Sequence, residues 1–340
     1  RRPIVVGWRY VATAIDANVP AIVAARYTAP GVLDTSFGER GVVTTRVDQT
    51  AVAQAFAAAL DGEGQLLVAG YNGGRKLRNP RGSFDDWSMR AILLRYTPAG
   101  ALDASFGDRG VASQSMDPSP QVKRNGRDYL LYDYQHTKTA GLVLDRLGRA
   151  VVAASNGEDP PLLMRFTQDG RPDPTFGSAG IVRTSLGAGS SISALLWDAE
   201  GRLLAAGTSG DSMVIARYTA DGVLDSAFGA GGMSSTPMSA GMRVSAALQE
   251  GDGHLLVVAS GENGVHLARF DREGMPDKSF GSGGVIVTSG RRTGTAAGLA
   301  IDDAGIPTVA ALSDEGIFLM RYTRQGPVDL SFRSTTTARP

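Results

Sequence analysis

The sequence predicts an all-β chain assembled from repeated four-stranded units, and three observations carry that prediction. A string of the form Arg-(Tyr/Phe)-(Thr/Asp)-x-x-Gly-x-x-Asp-x-x-Phe occurs six times in 340 residues, beginning at Arg26, Arg95, Arg165, Arg217, Arg269 and Arg321. Its phenylalanines (Phe37, Phe106, Phe176, Phe228, Phe280, Phe332) are spaced 69, 70, 52, 52 and 52 apart, which defines a 52-residue unit with insertions in two copies. No segment carries a long 3.6-residue apolar period, so the units hold strands and not helices.

Taken in order through one unit, four strand-like segments cover residues 41–45, 52–60, 65–70 and 91–96. The second and third are joined by Asp61-Gly62-Glu63-Gly64, whose glycines admit the positive φ of a tight turn. The same joint recurs at 145–148, 198–201, 250–253 and 302–305. The third segment is a continuous apolar run, as in Leu66-Leu67-Val68-Ala69 or Leu255-Leu256-Val257-Val258. A strand with one wet face alternates, whereas a continuous run requires cover on both faces. Four-stranded antiparallel sheets stacked face to face around an axis provide that cover, and this is a β-propeller. A solenoid is the competing repeat fold, but its units are shorter or helical.

The opening residues Pro3-Ile4-Val5-Val6-Gly7 align with Leu66-Leu67-Val68-Ala69-Gly70, a third strand, and 21–27 is then a fourth. The chain ends just past Phe332, with a first strand expected near Thr336. The expectation is therefore a single six-bladed domain, 1–340. Its half-blade 1–28 is completed by 329–340, and its whole units are approximately 29–97, 98–167, 168–219, 220–271 and 272–323. Splicing first and last segments into one blade removes exposed sheet edges. The second strand of that blade has no candidate: either upstream sequence is missing or the blade has three strands.

Arg-Tyr-Thr-x-x-Gly-x-Leu-Asp-x-Ser-Phe-Gly-x-x-Gly, followed by an Asp-Gly-x-Gly turn and Leu-Leu-Val-Ala-Gly, resembles the bacterial delta-60 repeat family over nearly the whole chain. The resemblance implies a propeller-like β fold, often in secreted or surface proteins. It supplies no catalytic residue.

Composition narrows the function classes. Thirty-four basic and 34 acidic residues cancel, so no global field attracts nucleic acid or an anionic membrane. With no cysteine, disulfide scaffolds, thiolate metal sites and thiol nucleophiles are excluded. No apolar run approaches 18 residues, and Arg1-Arg2-Pro3 is not followed by a signal-peptide core.

Function is sought where the copies differ, because loops carry function on a rigid scaffold. Insertions fall at 8–20, 72–88 and 114–137, in loop types that leave the same side of a meandering blade. They hold Trp8 and Tyr10; Arg75, Arg78, Arg81 and Trp87; and Arg124, Arg127, Tyr129, Tyr132 and Tyr134. Aromatic residues beside arginines are enriched at interface hot spots, and these are the candidate partner-binding residues. The competing role is anchoring long loops onto the disc. Interspersed Asp85, Asp86, Asp128 and Asp133 argue against nucleic acid.

His136, His254 and His266 form no short-spaced ligand set, and no nucleophile elbow, phosphate loop or His-Glu-x-x-His occurs. The repeated aspartates (Asp34, Asp103, Asp173, Asp225, Asp277, Asp329) occur once per unit, as turn caps or arginine partners would, and the six phenylalanines read as inter-blade plugs. The expected function is a non-catalytic binding or assembly module with no cofactor and no metal. It is expected extracellular, on the cell surface or periplasmic, with a place as a subunit of a larger assembly as a further expectation. It would recognise a protein or glycan, with no nucleic acid and no membrane insertion. The alternatives are an enzyme of hydrolase or lyase type at the channel mouth, or a purely structural repeat segment.

Overall fold

The structure is a computed structural model that describes residues 2–11, 19–29, 31–47, 51–74, 89–116, 138–155, 160–261, 263–289, 294–313 and 316–329. Twenty-two strands and no helix lie among the described residues, in two compact units, 1–183 and 184–340. No helix of the described residues is long and apolar enough to cross a membrane.

The first unit holds three antiparallel sheets. One comprises β1 (Ile4–Val11), β2 (Val19–Arg26) and β3 (Val42–Thr45). The next comprises β4 (Ala51–Leu60), β5 (Leu66–Gly74), β6 (Met89–Tyr96) and β7 (Val111–Ser115). The third comprises β8 (Lys138–Leu144), β9 (Ala150–Ser155), β10 (Leu162–Phe166) and β11 (Ile181–Arg183). In the second unit, the fourth sheet is β12 (Ser191–Trp197), β13 (Leu203–Ser209), β14 (Ser212–Tyr218) and β15 (Met233–Pro237). The fifth is β16 (Arg243–Gln249), β17 (Leu255–Gly261), β18 (Gly264–Phe270) and β19 (Val285–Thr288). The sixth contains β20 (Thr295–Ile301), β21 (Pro307–Ser313) and β22 (Gly316–Arg321).

The phase of the repeat differs from the sequence reading. Residues 42–45 pair with β2 of the preceding copy and not with β4, and the equivalent segments do likewise, so the first five sheets cut across the boundaries placed at 28/29, 97/98, 167/168, 219/220 and 271/272. The cause is the motif itself. In Asp34, Oδ1 accepts from the Ser36 amide and hydroxyl at 3.1 and 2.7 Å, closing a tight reversal that sends the chain back along the strand it has just left. The first sheet accordingly has three strands among the described residues, and the strand expected near Thr336 lies outside them.

Within each unit, apolar clusters fill the space between successive sheets. Ile22, Ala24 and Phe37 of the first sheet meet Leu66, Val68 and Leu94 of the second. In the second unit, Met213, Ile215 and Phe228 meet Val257, Ala259 and Phe270, and Val265 and Leu267 meet Val309 and Tyr322. The continuous run Leu66-Leu67-Val68-Ala69 is buried throughout, as cover on both faces demands.

Within each unit the motif locks the junctions between sheets. The arginine Nε donates to the motif aspartate Oδ2 at 2.7–2.8 Å in copies one to five. The same guanidinium lies over the motif phenylalanine, 4.5–4.7 Å from its centroid. Its Nη1 then reaches into the next copy, Arg95 to the Gln168 carbonyl and Arg217 to the Arg272 carbonyl, each at 2.7 Å. Gly107 and Gly229 add backbone N–H bonds to Asp169 and Glu273 of the next copy at 2.8 and 2.7 Å. Phe37, Phe106, Phe176, Phe228 and Phe280 are buried, as plugs would be; Phe332 lies outside the described residues.

Candidate functional site

The sheet ends that carry the motif turns also carry the hairpin turns. Asp61, Asp145, Asp198 and Asp302 cap these turns, each accepting a backbone amide four residues on at 2.8–2.9 Å. In the third sheet the residue after the turn is Arg149, which pairs with Asp145 at 2.6 Å and Asp173 at 3.4 Å. In the fourth it is Arg202, 2.6 Å from Asp198. In the second it is Gln65, and an open cleft of about 620 Å³ lies there, lined by Asp61, Glu63, Arg95, Asp103 and Asp169. Hydrogen bonds from the Ser36 hydroxyl, then the Ser36 amide and Arg26, outweigh burial and hold Asp34 at about 2.

The fifth sheet departs from this pattern. Glu250 replaces the capping aspartate, and Asp252 instead accepts the His254 amide at 3.0 Å. The His254 Nδ1 lies 3.0 Å from Asp252 Oδ1, and its Nε2 lies 3.8 Å from Asp277. Burial pushes the Glu250 carboxyl up, against the pull of Arg269. The adjoining cavity measures about 70 Å³, room for a few waters and not for a substrate. Among the described residues no three histidine or carboxylate side chains converge as a metal site would require.

His266 occupies β18, facing the fourth sheet across the apolar layer. It is 6% exposed, and neither ring nitrogen has a hydrogen-bond partner. Burial lowers its pKa, so the neutral imidazole is the favoured form.

The opposite ends of the strands lead into the inserted segments. β1 ends at Val11, β5 at Gly74 and β7 at Ser115, each at the end of its sheet remote from the motif turn. Trp8 and Tyr10 were assigned by sequence to the inserted loop 8–20, and here the structure corrects the reading. Both belong to β1, where Trp8 pairs with Ile22 and Tyr10 with Pro20. Local alternation past Gly7 is weak, and the decisive factor is the non-local ladder with β2. The two rings meet edge to face at 5.4 Å and remain exposed, Trp8 by 39% and Tyr10 by 58%. Arg75, Arg78, Arg81, Trp87, Arg124, Arg127, Tyr129, Tyr132 and Tyr134 lie outside the described residues.

One aromatic residue was missed by sequence reasoning. Phe56 stacks on Tyr71 at 5.6 Å and is 39% exposed. It occupies the β-bulge between Ala55 and Ala57, a position held by Ala140, Ser193, Ser245 and Ala297 at the equivalent bulges. An aromatic among small residues at one repeat position was the available signal.

These sheets and junctions define a class, the repeat-built antiparallel β-propeller, and comparison with known proteins supports it. Residues 199–228 match a family described as a domain of unknown function (DUF5122) β-propeller. Among solved structures, a glucose dehydrogenase aligns with a TM-score of 0.51 and 10% identity, covering 89% of this chain and 92% of its own. A protein of unknown function from Bacteroides caccae aligns with 0.48 and 10% identity, over 91% and 88%. A catalytically inactive virginiamycin B lyase from Staphylococcus aureus aligns with 0.45 and 12% identity, over 84% and 85%. At such identities the likeness concerns the fold alone. No curated protein matches the chain.

Proposed function

We propose that the protein is a non-catalytic binding module which recognises a protein partner at the β1 end of its first unit. The observation that carries this is the exposed Trp8–Tyr10 pair on a regular strand. Amphipathic rings held at low entropic cost are the side chains that dominate interface energies. By sequence, the insertions 8–20, 72–88 and 114–137 add arginines and tyrosines of the kind found at interfaces.

The finer architecture belongs to the proposal as well. The six sheets form one domain with six blades closed into a ring, and the chain is a delta-60 repeat protein of a bacterial cell surface or secreted assembly. The enzyme alternative draws on the Glu250–Asp252–His254 group, and a cavity of about 70 Å³ counts against it.

The test is native co-purification with the double variant Trp8→Ser, Tyr10→Ser. The expected result is loss of the partner with the melting temperature changed by no more than about 2 °C, since exposed side chains contribute little to stability. A retained partner with a lowered melting temperature would make the pair a packing element and overturn the reading.

A further inference from the structure

The hairpin turn of the second sheet differs from its counterparts in what it holds. In the third, fourth and sixth sheets the capping aspartate gives Oδ1 to its own turn and Oδ2 to a guanidinium. Arg149 Nε reaches Asp145 and Arg202 Nε reaches Asp198 at 2.6 Å, and Arg321 Nη2 reaches Asp302 at 2.8 Å. Asp61 caps the second sheet's turn in the same manner, its Oδ1 accepting from the Glu63 and Gln65 amides at 2.9 and 2.8 Å. Its Oδ2 accepts from nothing among the described residues.

The difference traces to one repeat position. The residue after the turn is Arg149, Arg202 or His254 in the third, fourth and fifth sheets, and each sets nitrogens between the turn acid and the motif aspartate. Arg202 spans Asp198 at 2.6 Å, Glu200 at 3.0 Å and Asp225 at 4.0 Å. The second sheet keeps the corresponding acids, Asp61, Glu63 and Asp103, but has Gln65 where the arginine stands. Gln65 is shorter and neutral, and its side chain makes one long bond, Nε2 to Glu63 at 3.4 Å. Arg95 does not take over as Arg321 does in the sixth sheet. Its guanidinium is committed to Asp103, Ser105 and the Gln168 carbonyl.

A second glutamine widens the gap. The fifth sheet's motif turn brings Arg272 to its junction with the fourth, where Nε donates to the Asp252 carbonyl at 2.7 Å; the third sheet has Gln168 at that position. Around the cavity of about 70 Å³ at the fourth–fifth junction, four acidic side chains are matched by three arginines. Around the cleft of about 620 Å³ at the second–third junction, four acids face Arg95 alone. Arg95 pairs with Asp103, and Arg171 with Asp169 at 3.1 Å, so Asp61 and Glu63 have no cation among the described residues. The cleft is of the size that holds small molecules or a side chain with its flanking backbone.

We propose that this cleft is a guanidinium-binding site. A bound arginine side chain, or a free compound of the same chemistry, takes the place that Arg149 and Arg202 fill in their own sheets. Asp61 Oδ2 and the Glu63 carboxylate accept from its planar fork, a geometry that an ammonium group does not match. Gln168, whose side-chain amide has no partner among the described residues, is available to the atoms beside the guanidinium. The site lies at the motif-turn ends of the strands, away from Trp8 and Tyr10, and is independent of the reading above.

The experiment titrates the full chain by calorimetry with N-acetyl-argininamide, its lysine and citrulline counterparts, and a short peptide carrying one central arginine. Saturable binding of the arginine compound is expected, with at least about a tenfold loss for lysine and none detectable for the uncharged citrulline form. Gln65→Arg should abolish binding by filling the cleft from within, and should raise the melting temperature as the turn gains its partner. Glu63→Gln, which leaves the capping aspartate in place, should weaken binding at least about fivefold. Gln65→Ala should keep the affinity within about threefold, since it removes only the long contact to Glu63. A peptide at least about tenfold tighter than the free compound identifies a partner protein's arginine as the occupant, whereas equal affinity identifies a free guanidinium compound. Absence of binding by both arginine probes, binding that survives Gln65→Arg, or equal binding of the citrulline form overturns the proposal. The double variant Trp8→Ser, Tyr10→Ser should leave the titration unchanged, so failure of one site is distinguishable from failure of the other.

Discussion

The guanidinium of Arg217 lies 4.7 Å above the ring of Phe228, and both belong to one copy of the motif. From there the same group donates to Asp225 in its own copy and to the Arg272 carbonyl in the next, both at 2.7 Å. One planar fork thus joins a turn, a core aromatic and a neighbouring sheet. An ammonium group has no such geometry.

Arg217→Lys keeps the charge and loses the fork, with an expected cost of about 1–3 kcal/mol in chemical denaturation. Phe228→Ala, which empties a buried site, should cost about 3–5 kcal/mol. Both variants are expected to unfold in a single cooperative transition over 1–340. Two separated transitions would contradict the single domain proposed above.

Glycine in the motif turn is required twice over. Gly274 has φ of +83°, and a Cβ there would lie 2.5 Å from Cζ of Phe228. Gly31 has φ of +82° with nothing within 4 Å of its would-be Cβ. Gly31→Ala should therefore cost only the backbone term of about 1–2 kcal/mol. Gly274→Ala should cost a further ~1–3 kcal/mol for overpacking. Equal losses would show that the close approach across the junction contributes nothing.

His266 predicts an acid-side loss of stability. Burial depresses its folded pKa below the ordinary 6.5, so the unfolded chain takes up the proton first. Its contribution is fully present above pH 6.5 and declines as the pH falls from there toward the folded value. Val244, Ala259 and Val287, its cross-strand row, and Met213 of the facing sheet carry no charge to compensate. His266→Leu should flatten that limb and add about 1 kcal/mol at neutral pH by removing an unsatisfied buried imidazole. Denaturation midpoints at pH 7.5 and 5.5 decide it: an unchanged pH dependence would refute the assignment.

The motif aspartates and arginines were legible as a pair from their one-per-unit recurrence. The arginine's position over the phenylalanine was not, although both lie in the same string. Eleven residues of separation do not say which way a long side chain folds back; the turn closed by Asp34 and Ser36 does. The candidate surface was half legible. Trp8 and Tyr10 stood out by composition, while Phe56 is visible only when five bulges are superposed.

The sequence by itself determined the strands, their turns and the 52-residue period, because these follow from local rules: alternation, glycine at positive φ, and a continuous apolar run where both faces are covered. The tertiary structure alone decided that residues 42–45 join β2 and that Trp8 and Tyr10 sit in a ladder. Those outcomes depend on which backbone groups meet across tens of residues. A strand carries the same local pattern whichever neighbour it pairs with, so only the assembled hydrogen-bond ladder distinguishes one partner from another.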